Sequence, residues 1–163
     1  MKTSLVLLAV FLGSSAQASL AVGDKAQYQM TVGTAGASQV MIETIEVTAI
    51  NTAAGTFTQT LSMTQNGTQI SSVTTTNGDL NSASDAENTL DNCSKMPATM
   101  ADVESLTVPA GTFQVCHIKL VQNNGQMDEY LGKVPFGLVK SAVTDTAAGT
   151  TTTFILLSYK QNK

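Results

Sequence analysis

Val108–Leu120, VPAGTFQVCHIKL, places the end of one strand, a turn and most of a second strand in a single stretch. Pro109 has no N–H to give a ladder and ends the first strand, and Gly111 accepts the backbone of the turn that follows. Side chains alternate along a strand, so Phe113, Val115 and Val121 fall on one face and Cys116, Ile118 and Leu120 on the other. A strand apolar on both faces is expected to be covered on both sides. Phe154–Leu157, four apolar residues in a row, reads the same way.

Working outward, turn signals divide the chain into strand-length runs. Asn-Gly accepts the two positive φ angles of a type I′ hairpin turn, and it occurs at Asn66-Gly67, Asn77-Gly78 and Asn124-Gly125. Further turns are marked at Gly33–Gly36, Ala53-Ala54-Gly55 and Ala147-Ala148-Gly149. The strands expected between them are Lys25–Val32, Gln39–Ile50, Thr56–Gln65, Gln69–Thr76, Glu104–Val108, Thr112–Gln122, Gln126–Gly132, Leu138–Thr144 and Thr150–Lys160. Phe57, Leu61 and Met63 alternate with Thr58, Thr60 and Ser62, the pattern of a sheet with one wet face. Ser82–Val103 breaks the pattern. Ser84-x-x-Glu87 resembles a capping box and Pro97 suits a first helical turn, so this segment is expected to be a small helical or irregular cover.

The N-terminus carries the order of a secretory signal: Lys2, the apolar run Leu5–Leu12, then Ala16-Gln17-Ala18 as a cleavage box. Eight apolar residues are too few to span a bilayer, which needs about 20. The expected organisation is a signal peptide over 1–18 and a single β-rich domain over 19–163, in a periplasmic or secreted protein that does not span the membrane. In that compartment Cys93 and Cys116 are expected to form a disulfide. Closing so long a loop restricts the unfolded chain by roughly 3 kcal/mol.

Charge narrows the partners. After cleavage seven Lys face twelve acidic residues, and the chain contains no Arg. Nucleic acid demands a cationic footprint, so it is excluded as a partner.

A resemblance rests on Glu104, Val108-Pro109-Ala110-Gly111-Thr112-Phe113, Cys116, Ile118 and Gly137-Leu138-Val139-Lys140, with the closing Leu156-Leu157-Ser158-Tyr159 matching in character. Over Ser105–Tyr159 the chain resembles the TapB-like group of small exported bacterial proteins. Their fold is related to the periplasmic lipoprotein carriers of the LolA/LolB type. The resemblance implies a mostly β protein: an antiparallel curved sheet, an unclosed half-barrel, with the small cover against it. It differs where related sequences carry aromatic residues before Gly-Leu-Val-Lys, for this chain has Val134-Pro135-Phe136 and no Trp.

Catalytic arrangements are not expected. His117 is the one histidine, and strand alternation turns it away from Cys116. It reads as a surface or edge residue, with no nucleophile motif beside it. Asp128 and Glu129 are adjacent on a strand and would not converge as paired carboxylates. Asp79, Asp85, Glu87 and Asp91 lack calcium-loop spacing. The expectation is a non-enzymatic envelope protein with no cofactor and no metal. An unclosed sheet leaves a hydrophobic mouth, and Phe57, Leu61, Met63, Phe113, Val115, Ile118, Leu138 and Leu156 are the expected wall for a lipid or other hydrophobic molecule. Met30, Met41, Met96, Met100 and Met127 are flexible enough to join it. The alternative is a structural or adhesive surface module of the fimbrial-subunit kind, which would meet an envelope protein partner through an unpaired strand edge.

Overall fold

The computed structural model describes residues 20–34, 36–78, 89–90, 92–122 and 125–162. The expected signal peptide and the acidic residues Asp79, Asp85, Glu87 and Asp91 lie outside them. Among the described residues nine strands form: β1 (Lys25–Thr34), β2 (Ala37–Asn51), β3 (Thr56–Gln65), β4 (Thr68–Gly78), β5 (Ala101–Val108), β6 (Gly111–Gln122), β7 (Gly125–Gly132), β8 (Leu138–Asp145) and β9 (Thr150–Lys160). Each contains most or all of one expected run.

Every pairing is antiparallel, in one sheet of order β4-β3-β2-β1-β9-β8-β7-β6-β5. Two meanders meet where the first strand pairs the last, and β4 and β5 are left as edges that do not pair. This is the unclosed antiparallel sheet that the resemblance implies.

Asn66 and Gly67, at φ 52° and 77°, make the two-residue turn from β3 to β4. Asn77-Gly78 does not turn the chain. Both residues belong to β4, opposite Phe57 and Thr56, so the second of the three expected Asn-Gly turns does not form at these positions. An Asn-Gly turn forms only where the following residues can pair back.

The two poles of the sheet differ. At the pole holding the chain ends, the connection from β7 to β8 folds inward, burying Val134, Pro135 and Phe136. Phe136 takes a φ of 65°, rare for a bulky residue, and Gly137 follows at 73°. Burial of the ring among Tyr28, Leu138, Val139 and Leu156 of the main core compensates for that backbone. Here β5 and β6 outrun β7 and β8, and the Ala110 N–H donates to the Leu156 carbonyl of β9 at 3.3 Å. The Phe113 ring stands 6.0 Å from that of Tyr159. Gly132 leaves room for this curl, since a Cβ there would lie 3.0 Å from Val139 Cγ2 and 3.4 Å from Val115 Cγ1.

Asp24 fastens the termini at the same pole. It is fully buried and accepts from the Ala21 N–H at 2.8 Å and the Asn162 N–H at 2.6 Å. At the other pole are the turns joining β1 to β2, β3 to β4 and β8 to β9. The wet face is laced by threonines, Thr60 to Thr74 at 3.0 Å and Thr58 to Thr76 at 3.2 Å.

Candidate functional site

Register shows which side chains share the face opposite the threonines. Met41 pairs Met30, Met30 pairs Phe154, Phe154 pairs Ser141, Ser141 pairs Glu129, Glu129 pairs Ile118 and Ile118 pairs Ala101. Directly opposed residues point to one side, so this row crosses seven strands on one face. One step toward the hairpin pole, Val143 pairs Met127 and Met127 pairs Leu120. One step the other way, Ser71 pairs Met63, Met63 pairs Glu43, Glu43 pairs Tyr28 and Tyr28 pairs Leu156.

The result is a trough that is apolar but not sealed. Met30, Met41, Met63, Leu120, Met127 and Ile118 are all only partly buried. Toward the chain-end pole it closes over Tyr28, Ile45 and Leu156. The Tyr28 hydroxyl donates to the Leu138 carbonyl at 3.1 Å, and burial, with Glu43 nearby, pushes its ionisation far above the usual range. Burial likewise raises Glu43 and Glu129, the acidic residues set among these methionines. Beside Glu129 the Ser141 hydroxyl is fully buried with no hydrogen-bond partner.

One rim of this face is strapped. Cys93 is disulfide-bonded to Cys116 with Cα atoms 5.7 Å apart, and Leu90 packs with the bridge, Ala101 and Ile118. The described part of the cover has only helical turns at 89–90 and 92–93. Met96 and Met100 are exposed on it and do not join the trough floor.

The eight expected wall residues divide. Phe57, Leu61, Met63, Ile118, Leu138 and Leu156 lie on the trough side by register. Phe113 and Val115 alternate with Ile118 and take the other face of β6, where Val115 belongs to the sealed core. Phe57, Leu138 and Leu156 are themselves buried and support the trough from beneath, whereas Leu61, Met63 and Ile118 are partly open. A shallow hollow of about 150 Å³ occurs elsewhere, over Lys25, Gln27, Ser158, Tyr159 and Lys160, and contains none of the expected wall.

His117 corrects a reading. It faces away from Cys116 as expected, but it is only 8% exposed and not a surface residue. Its ring stacks on Tyr130, centroids 4.0 Å apart, and Lys140 Nζ stands 5.1 Å from the Tyr130 centroid. Asp128 joins it on that face while Glu129 turns to the trough, so the two acids diverge as alternation demands. Burial would raise Asp128, but hydrogen bonds from His117 and Gln126 hold its carboxyl below the usual range. Burial also raises the Tyr130 phenol, helped by Asp128, Glu104 and Asp102.

Compared with known proteins, no family model and no curated sequence matches the chain. Solved structures do. A Bacteroides fragilis protein, titled as exported and with a YmcC-like fold, superposes with a TM-score of 0.58 at 12% identity, covering 90% of this chain and 100% of that one. A Parabacteroides distasonis protein titled as a lipoprotein gives 0.56 at 12% identity, covering 90% and 98%. The chain has a YmcC-like fold. MucB of Pseudomonas aeruginosa, solved with MucA, gives 0.48 at 13% identity, covering 85% of this chain and 52% of that one. Among the described residues no helix is long and apolar enough to cross a membrane.

Proposed function

We propose that the chain is a non-enzymatic exported envelope protein that holds a lipid or other hydrophobic molecule against the trough of its half-barrel. One observation carries this reading: on the row that crosses the sheet, Met41, Met30 and Ile118 stay partly open while Phe154, Ser141 and Ala101 between and beside them are buried as its floor. Partly open apolar side chains gathered on one face favour a hydrophobic occupant. Unbranched methionines adapt to an irregular chain, and Glu43 and Glu129 offer polar contacts among them. Lys2, Leu5–Leu12 and Ala16-Gln17-Ala18, together with the disulfide, support export to the periplasm or beyond. Membership of the TapB-like group belongs to the same reading and rests on the motif around Val108–Phe113.

The test is titration of the mature protein with a fluorescent fatty-acid analogue. Saturable binding is expected, weakened at least tenfold by Met41→Glu and unchanged by Thr74→Glu on the threonine face. Absence of saturable binding, or equal loss in both variants, contradicts the reading.

A second reading has its own observation. Edge strand β4 leaves Ile70 and Val73 about half exposed, a surface suited to pairing with a strand of an envelope protein partner. Cross-linking from residue 70 in envelope extracts tests it, with a discrete adduct expected and only free monomer as the contrary result.

A further inference from the structure

On the threonine side, at the β5 edge, Asp102 and Glu104 lie two apart on one strand, so both point the same way. Asp102 pairs His117 of β6, which pairs Tyr130 of β7. The imidazole is held on both sides. Its Nε2 meets Asp128 Oδ1 at 2.9 Å, Tyr130 lies under its plane, and Gln126 Nε2 donates to the other Asp128 oxygen at 2.7 Å.

Nε2 is engaged with Asp128, which turns Nδ1 toward the two carboxylates of β5. Nδ1 is 3.5 Å from Glu104 Oε1 and 3.6 Å from Asp102 Oδ1. Charge-assisted N–H···O⁻ bonds run at about 2.7–2.9 Å, so a proton placed on Nδ1 would be poorly used there. Asp102 Oδ1 is buried with no hydrogen-bond partner, whereas Oδ2 of the same carboxylate takes Lys119 Nζ at 3.4 Å. A carboxylate oxygen without a donor is a place for a water or an ion.

The geometry points to a divalent-cation site of the zinc class, with His117 Nδ1, Asp102 Oδ1 and Glu104 Oε1 as ligands. Zinc bonds of about 2.0–2.2 Å in a tetrahedron separate neighbouring ligand atoms by about 3.4 Å. The observed 3.5 and 3.6 Å fit that edge, and all three ligand atoms lie within 4.8 Å of one another. One imidazole with two carboxylates suits a borderline ion such as Zn²⁺. Asp128 orients the ring through its far nitrogen, the arrangement that fixes tautomer and ring direction at histidine–metal sites. Glu104 and Asp102 are partly exposed, so a fourth position is open to water. The ion joins edge strand β5 to β6 and is independent of the trough, which occupies the opposite face. It also revises the expectation of no metal, which rested on sequence spacing and could not see residues brought together across two strands.

The chain has one histidine, so nitrogen-15 NMR of the imidazole in tag-free, chelator-treated mature protein reads the site directly. Zn²⁺ is expected to bind at one equivalent, moving the Nδ1 resonance and leaving Nε2 protonated. Competition against a chromophoric chelator is expected to show at least tenfold weaker binding for Glu104→Gln and for Asp102→Asn. Asp128→Asn is expected to weaken it by about 10–100-fold. Glu104 is exposed, so that variant stays folded, and unchanged melting confirms it. An imidazole spectrum unmoved by Zn²⁺ overturns the proposal, as does equal affinity in Glu104→Gln and the parent.

Discussion

Tyr28, Ile45 and Leu156 at one pole are sealed within the sheet, while Met30, Met41 and Met127, a few residues along the same or neighbouring strands, are only partly buried. Strand composition does not separate these regions, since both are apolar. Three additions at the chain-end pole do: the inward loop Val134–Phe136, the β5–β6 turn bonded to β9, and the Asp24 clamp. The hairpin pole has tight turns instead, and there the described cover packs through Leu90 and Cys93 on Ala101 and Ile118 at one rim only. A single sheet is thus sealed at one end and left partly open at the other.

Substitutions can break that contrast. Leu156→Ala removes a fully buried side chain and is expected to cost about 2–5 kcal/mol in denaturant unfolding. Met41→Ala is expected to cost well under half of that. Equal losses would mean that the trough is part of the packed core. Replacing Cys93 and Cys116 together with Ser is expected to cost roughly 3 kcal/mol and to loosen the strapped rim, read by unfolding and by hydrogen exchange in β5. Tyr28→Phe leaves the Leu138 carbonyl without its donor, for an expected loss of about 1–3 kcal/mol by thermal melting.

Glu43 sharpens the comparison by pH. Its native carboxyl is raised by burial, so the folded chain keeps the proton to higher pH than the unfolded chain does. Stability from this group is therefore full in acid and falls as pH rises through the ordinary carboxylate range to the raised native value. Glu43→Gln is expected to remove that decline and to match or exceed the parent at neutral pH, as measured by melting temperature across pH. Thr74→Val on the wet face should shift stability least, within about 0.5 kcal/mol.

The strands were legible because alternation and turn residues are local. Thr56–Gln65 and Thr150–Lys160 match their expected limits. Asn77-Gly78 misled because a turn motif says nothing about whether a partner strand follows. The pairing of β1 with β9 left no local trace, and the continuous inner row depends on it. The divided wall has a different cause: alternation along β6 already set Phe113 and Val115 against Ile118, and grouping them by hydropathy overrode it. His117 looked like an edge histidine because its cover, Tyr130 and Asp128, arrives from β7. Asp24 gave no signal either, for its partner Asn162 is at the far end of the chain.

The most direct test of the central claim is native mass spectrometry of mature protein isolated from its own host's envelope, before and after solvent extraction. The trough predicts an added mass that moves into organic solvent and is identified there as a lipid. A bare monomer that also takes up no fatty-acid analogue would contradict it.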